Sequence, residues 1–441
     1  MGGERQRAAD LPAPAPSGVD WKRNLAALWV AEFLALFGFS FVMPFLALYL
    51  HQDLGVRNPH QLGLWTGVAS GVSGFTMAVA GPIWGIFADR YGRRPMLIRA
   101  MVGGAVCVGL LSLVQSPWEL VALRFVQGAT AGTVAAATAL VASETPRRKV
   151  GYALGVLASA FALGEAAGPI AGGLATTLIG FRPVFLITTG LLLLGILPVV
   201  LVVRESPPAS RVQPPPDQVT GSVRRTGLRS IPRPVLLTLL ALVVAQVLVQ
   251  FAYAGSQQMV ALRLLAIVPR DPNLATGVAF ACAGIATAIA ASLYGRLSGR
   301  FGYRRFAATG ALLFAAAILT AALAPAIGVL VIGVAAYGFF FGCVNPSLST
   351  LIGLHTPRAV QARVYGVSGS ANAVGFSTGP FLSGMVAAAI NPQAAMLVTA
   401  AAAVALTVVL WFTVRDPGDA QKGPELAAGR DPASDGSAEG A

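Results

Sequence analysis

Three ionisable residues, Glu32, Arg124 and Glu165, lie inside long apolar stretches of the sequence. A charge inside a lipid bilayer is costly unless it is paired or hydrated, so chains keep few such residues without a use. Burial and a nearby arginine shift the pKa of a carboxylate in opposite directions, so a change of surroundings can drive proton uptake and release. We therefore predict that both glutamates carry protons across a membrane and that Arg124 tunes one of them.

Two other interpretations of these residues stay open. At a rise of about 1.5 Å per residue, Arg124 and Glu165 fall at the same depth of a ~30 Å hydrocarbon core. They could therefore form a permanent ion pair that only holds helices together. Glu32 could instead attract the positive charge of a ligand in a binding pocket.

A polar stripe follows one face of a later apolar stretch. Gln246, Gln250, Tyr253 and Gln257 recur at helical spacing, and polar side chains in a lipid-embedded helix turn away from acyl chains. We predict that they line a substrate cavity; hydrogen bonding between helices is the alternative. The other predicted lining residues are Phe39, Met43, Tyr337, Asn345, Asn372 and Phe376. Such a cavity suits amphipathic, often cationic compounds.

The stretches that carry these residues are too apolar for a water-soluble domain. Of the 441 residues, 55% are hydrophobic, and the mean hydropathy is +0.70. Twelve apolar runs each approach the ~20 residues that cross a bilayer, and helices satisfy their own backbone polar groups in lipid. The predicted fold class is an all-α membrane protein with twelve transmembrane helices.

The distribution of basic residues indicates how these helices are oriented. The chain has 31 Lys and Arg, 18 Asp and Glu, and a formal net charge of +13. If twelve runs cross the membrane, most basic residues fall on the side that holds both termini, which is the bias of cytoplasmic loops. We predict a multi-pass protein of the cell (inner or plasma) membrane with cytoplasmic N- and C-termini. The same distribution argues against nucleic acid as a partner.

A polar, proline-rich stretch divides the twelve runs into six and six. The predicted segments are a cytoplasmic N-terminal segment 1–23, a six-helix bundle 24–203, a cytoplasmic linker 204–233, a second six-helix bundle 234–414 and a disordered cytoplasmic tail 415–441.

Two polar phrases occur in both bundles at nearly the same offset. Gly85-x-x-x-Asp89-Arg90-x-Gly92-Arg93-Arg94 recurs 210 residues later from Gly295 to Arg305, with Gly299 in place of the acid. The glycine-rich phrase from Gly164 to Gly173 recurs 211 residues later, from Gly375 to Gly384. These repeats predict two pseudo-symmetric six-helix bundles with a substrate site between them.

These phrases carry a resemblance to a known family. The first resembles the loop signature of the major facilitator superfamily, and Arg124-x-x-Gln127-Gly128 resembles the fourth-helix motif of its proton-coupled drug antiporters. A third set of residues resembles their fifth-helix antiporter motif: Gly164, Gly168, Pro169, Gly172 and Gly173. The resemblance implies the twelve-helix fold of that family and export of drugs in exchange for protons by alternating access.

The resemblance also implies roles for the two phrases. Asp89 and Arg93 would latch the two bundles together on the cytoplasmic side, within a conformational gate of Gly85, Asp89, Arg90, Gly92, Arg93 and Arg94. The alternative is a basic topology anchor with a solvated acid. The three glycines spaced four apart would pack helices closely, and the resemblance adds a seal against leak. Because Gly299 replaces the acid, we predict a stronger latch in the first copy.

Other classes of function fit less well. The three histidines lie near the ends of apolar runs, and no Gly-x-x-x-x-Gly-Lys phosphate loop occurs, which argues against an enzyme and against ATP-driven transport. The main alternative is proton-linked uptake of a small metabolite. We expect no cofactor and no metal; the expected partners are a small-molecule substrate, protons and the lipid bilayer, and the expected state is a monomer.

Overall fold

A computed structural model describes residues 20–206, 233–268, 272–356 and 361–414. The predicted linker and tail, and the N-terminal segment before Asp20, lie almost wholly outside the described residues. Twelve long helices fill the described part. They are α1 (Trp21–Gln52), α2 (Pro59–Tyr91), α3 (Arg93–Leu111), α4 (Pro117–Glu144), α5 (Val150–Ile179), α6 (Phe181–Leu201), α7 (Arg233–Ile267), α8 (Pro272–Phe301), α9 (Tyr303–Leu323), α10 (Ile327–His355), α11 (Gln361–Ala389) and α12 (Pro392–Phe412).

Eleven of these helices are long and apolar enough to cross a membrane. The exception, α11, has a similar length but is rich in glycine and serine. It packs against α2, α7 and α12, so small side chains can face protein there instead of lipid. The predicted all-α membrane fold of twelve helices is confirmed.

Local sequence explains where many helices begin. Asp20, Asn58, Ser116 and Asn391 accept hydrogen bonds from backbone N–H groups at the starts of α1, α2, α4 and α12. Three of these caps precede a proline, whose missing N–H costs nothing in the first turn. Two helices are interrupted: α1 by a 3-10 turn at Met43–Phe45, and α4 at Ala131 and Gly132.

The two halves repeat one packing pattern. In the first half α1 packs against α5 and α6, α2 against α4, and α3 against α6. In the second half α7 packs against α11 and α12, α8 against α10, and α9 against α12. The repeated phrases also form the same turn, since Gly92 and Gly302 both have positive φ, 104° and 79°, between consecutive helices. Duplication in the sequence is therefore duplication in the fold.

The halves meet through α2 with α11 and α5 with α8. We call the side where α6 ends and α7 begins the linker face. Near the other face the helices approach at glycines: a Cβ added at Gly67 would lie 2.5 Å from Cα of Gly384, and one at Gly277 would lie 2.4 Å from the carbonyl oxygen of Pro169. Near the linker face, a Cβ added at Gly85 or Gly295 would meet no described atom of another element within 4 Å. The halves are apart there, and the space between them opens toward the linker face.

Candidate functional site

A cavity of ≈440 Å³ lies between the two halves. Eight helices line it, namely α1, α2, α4, α5, α7, α8, α10 and α11. Its volume falls within the roughly 300–1,000 Å³ that small-molecule sites occupy. Eight of the residues predicted to couple protons or bind substrate line this cavity: Phe39, Met43, Arg124, Glu165, Gln250, Tyr253, Gln257 and Phe376.

Arg124 projects from α4 toward α1 and α2. Its Nη1 donates to the side-chain oxygen of Gln127 at 2.6 Å and to the sulfur of Met43 at 3.0 Å. Its Nε donates to the carbonyl oxygen of Ala69 at 3.3 Å. The 3-10 turn in α1 places Met43 at the cavity wall. The guanidinium is therefore fixed in orientation by three helices.

Glu165 lies on the wall formed by α5, one turn before Pro169. Its side chain is exposed to the cavity, and none of the hydrogen bonds among the described residues involves it. Tyr253 of α7 lines the same cavity. The ion pair with Arg124, which was the alternative interpretation of these residues, is not formed in this conformation, although both residues line the same cavity.

An aromatic wall faces these charges from the second half. The ring of Tyr253 stacks on Phe341 of α10 with centroids 3.8 Å apart and planes 13° apart. Tyr337, which was predicted to line the cavity, lies behind this stack with only 1% of its surface exposed and makes an edge contact with Tyr253 at 6.0 Å. Stacked rings of this kind offer a flat apolar surface to an aromatic ligand.

Three predicted lining residues form a cluster of amides instead. Gln246 on α7 is fully buried and donates from Nε2 to the side-chain oxygens of Asn345 on α10 and Asn372 on α11. The cluster joins three helices of the second half and is not among the residues that line the cavity. This arrangement matches the alternative of hydrogen bonding between helices.

Glu32 is also absent from the cavity lining. It lies on α1 one turn before Leu36, which does line the cavity, and its side chain is 0% exposed. Both carboxyl oxygens are buried without a hydrogen-bond partner among the described residues. An ionised carboxylate in that position would lack any partner for its charge, which is costly in a low-dielectric interior.

Sequence reasoning missed several lining residues. The most informative is Ser70 on α2, which accepts a hydrogen bond from Nε2 of Gln258 on α7 and so bridges the two halves. Phe280 and Thr287 of α8 and Phe341 of α10 also line the cavity. Gln258 lies about two helical turns after Gln250 on α7, so helical spacing could have suggested it. No local pattern marks Ser70, because its partner lies 188 residues away.

The residues of the predicted gate bind their own half in this conformation. Backbone N–H groups of Arg93 and Arg94 donate to the carboxylate of Glu205, both at 2.8 Å. The two guanidinium groups donate to carbonyl oxygens of α4 and α6. Asp89 is exposed, and no hydrogen bond among the described residues involves it. The two halves are apart at this face, and none of these hydrogen bonds crosses between them.

The glycines of the predicted antiporter motif pack against two helices. Added Cβ atoms at Gly164, Gly168 and Gly172 would lie 2.8, 2.6 and 1.9 Å from atoms of α1. Gly173 faces the other way, toward Gly277 of α8 in the second half. The motif therefore joins α5 both to its own half and to the opposite half.

Comparisons with known proteins agree with this architecture. The model of the Major Facilitator Superfamily matches residues 28–270 and 247–436. The chain is 32% identical over 399 residues to the multidrug resistance protein MdtG of Dickeya zeae, covering 90% of this chain and 96% of that protein. It is also 32% identical over 411 residues to MdtG of Proteus mirabilis, covering 91% of this chain and 98% of that protein.

Solved structures share the fold at low sequence identity. The nucleoside transporter NupG matches with a TM-score of 0.72 at 14% identity, covering 89% of this chain and 100% of that chain. A D-xylose-proton symporter matches with 0.70 at 15%, covering 89% and 98%. The human organic anion transporter MFSD10 matches with 0.62 at 19%, covering 88% and 99%. At such identities the likeness concerns the fold alone.

Proposed function

Because the chain belongs to the major facilitator superfamily, a family of membrane transporters and not of enzymes, we propose that it exports amphipathic small molecules in exchange for protons. The observation that carries this proposal is the central cavity, which combines aromatic rings, amides and an unbonded carboxylate between two pseudo-symmetric halves. The relatives named multidrug resistance proteins support export of more than one compound.

The direction of opening fits the loading step of an exporter. We assign the linker face to the cytoplasm, because basic residues concentrate on that side of the sequence. The cavity opens toward the same face, so a cytoplasmic molecule can enter it. On the opposite face, glycine contacts between α2 and α11 and between α5 and α8 separate the cavity from the outside.

Alternating access requires the contacts between the two halves to move from the outer face to the linker face. The glycine contacts of the outer face would break, and the linker-face ends of α2, α5, α8 and α11 would come together. Asp89 would then bond across the halves, while Gly299 offers no acid in the second copy. The gate residues Gly85 and Arg90 lie near the end of α2, and Gly92 forms the turn to α3 that would bring Asp89 and Arg93 to that contact.

Proton coupling would use two acids in different surroundings. Glu165 can bind a proton or a ligand at the cavity wall, and Arg124 on the same cavity would favour release of the proton. Glu32 is buried without a hydrogen-bond partner among the described residues, so its protonated, neutral form suits this position. It would release its proton only after a conformational change lets water reach it. In this proposal the two glutamates carry protons, and Gln250, Tyr253 and Gln257 hold the substrate.

A transport assay in intact cells tests this function. A bacterial host without its own efflux pumps would express the protein and be exposed to norfloxacin or ethidium. We expect expression to lower the cell content of at least one probe, and a protonophore to restore it. Uptake by a proton symporter, the alternative, predicts the reverse: expression raises the content and the protonophore lowers it. Unchanged content of both probes at a verified level of membrane protein would contradict the proposal.

A further inference from the structure

The cavity carries two opposite charges on different walls. The Arg124 guanidinium is held beside α1 and α2 by Met43 and Ala69. The Glu165 carboxylate lies on α5 beside Tyr253 of α7. Among the described residues no hydrogen bond or ion pair joins the two groups. The cavity therefore has a positive corner and a negative corner.

Each charge keeps bonding capacity that the protein does not use. The hydrogen bonds of Arg124 involve Nε and Nη1, and none among the described residues involves Nη2, which carries two N–H groups. The two oxygens of Glu165 accept no hydrogen bond from the described residues. Charges within the membrane-spanning part of a protein are normally paired or hydrated, so two unpaired charges on one cavity are complementary to a ligand that brings both partners.

The surface between the two corners is mainly aromatic. Phe39 of α1, the stacked pair Tyr253 and Phe341, and Phe376 of α11 line the cavity together with the amide of Gln250. An apolar, ring-containing body fits this surface. An amphipathic molecule with a single charge would pair with the oppositely charged group of the cavity. The other cavity charge has the same sign as the molecule and would repel it.

We propose, as a refinement that rests on the transport function above, that the preferred substrates are amphipathic zwitterions. The anionic group of the substrate binds Nη2 of Arg124, its cationic group binds the carboxylate of Glu165, and its ring system lies along the aromatic wall. Singly charged amphiphiles bind more weakly because one corner repels them.

Binding to the purified full chain in detergent tests this inference without any gradient. The probes are norfloxacin, which is a zwitterion near neutral pH, its ethyl ester, which is a cation, and its N-acetyl derivative, which is an anion. We expect each derivative to bind about tenfold more weakly than norfloxacin, since each loses one charge-assisted hydrogen bond. Equal or tighter binding of the ester or of the N-acetyl derivative would overturn the inference.

Two variants assign the two corners separately. Glu165→Gln should bind norfloxacin and its N-acetyl derivative equally while still discriminating against the ester. Arg124→Gln should bind norfloxacin and the ester equally while still discriminating against the N-acetyl derivative. Equal weakening of all three ligands by both variants would indicate only structural damage and would overturn the assignment. Glu119→Gln and Arg57→Gln, which remove exposed charges outside the cavity, should leave all ratios unchanged.

The two proposals fail independently. If the three affinities follow the expected order but no proton-driven efflux occurs, the transport direction is wrong and the zwitterion site remains. If ethidium is exported in a protonophore-sensitive way but the ester binds norfloxacin's site as tightly as norfloxacin, the substrate class is wrong and the antiport proposal remains. The wild-type ligand series decides the inference even if Arg124→Gln does not fold.

Discussion

Glu32 and Glu165 lie on neighbouring helices, α1 and α5, in unlike surroundings. Glu32 is buried inside the first half with no hydrogen-bond partner among the described residues, whereas Glu165 faces a cavity between halves that are apart at the linker face. In the proposed cycle, a cationic ligand would compete with a proton for Glu165. A proton on Glu32 can leave only if the packing around α1 changes, since an isolated charge there is costly. The two acids would therefore couple to different steps of one transport cycle.

Replacement of Glu32 by methionine separates coupling from stability. Glu32→Met keeps a similar volume and removes two buried oxygens that lack partners, so we expect the free energy of unfolding to rise by about 1 kcal/mol. If Glu32 carries a proton in the transport cycle, the same change should lower protonophore-sensitive efflux about tenfold or more while the Kd for norfloxacin changes less than about twofold. Thermal unfolding in detergent, binding and efflux check the three parts. A less stable protein with normal efflux would contradict the role.

Two glutamines one turn apart on α7 allow a matched comparison. Gln246 bonds to Asn345 and Asn372, whereas Gln250 lines the cavity. Gln246→Leu should reduce the free energy of unfolding by about 1–2 kcal/mol, because it leaves two partly buried amides unpaired, and should change ligand affinity little. Gln250→Leu should change affinity and leave stability nearly unchanged. Thermal unfolding and equilibrium binding of both variants check this expectation. If the amide cluster binds substrate instead, Gln246→Leu would weaken ligand binding more than Gln250→Leu does.

At the scale of helices, glycines determine which surfaces can approach. The sequence indicates that Gly164, Gly168 and Gly172 share a face of α5, and the structure identifies α1 as the helix they touch. The contact of α2 with α11 through Gly67 and Gly384 was not anticipated. Spacing identifies a face of small residues but contains no information about the distant helix that covers it.

The contact between α5 and α8 should control closure of the outer face. A Cβ at Gly277 would lie 2.4 Å from the carbonyl oxygen of Pro169 in the opposite half, so Gly277→Ala should push the two halves apart there. We expect spin labels at the outer ends of α2 and α11 to show a population at longer distance. Gly190→Ala on α6, where a Cβ meets no described atom within 4 Å outside that helix, is the control and should leave the distances unchanged. Identical distance distributions for both variants would refute this closure contact.

At the scale of the whole molecule, the sequence contained most of the architecture. Apolar run length and the repeated phrases predicted twelve helices in two matching bundles. Periodicity also placed Gln250, Tyr253 and Gln257 on one face, and all three line the cavity. It could not separate Gln246 from that stripe, because the amides of Asn345 and Asn372 come from helices 99 and 126 residues away. The conformation itself depends on contacts between halves that no local pattern encodes.

The proposed role of Asp89, a latch between the two halves, depends on a conformation of the whole molecule that differs from the present one. Here Asp89 is exposed and makes no hydrogen bond with any residue that the structure describes, and the halves are apart at the linker face. If Asp89 bonds across the halves only when that face closes, Asp89→Asn should leave thermal stability unchanged and favour the present conformation. We expect transport to fall about tenfold, with spin-label distances across the linker face shifted toward the open population.

Glu205→Gln, which loosens contacts of Arg93 and Arg94 within one half, should instead lower thermal stability without shifting those distances. Normal transport by Asp89→Asn at equal membrane level would show that the acid is a solvated part of a topology anchor.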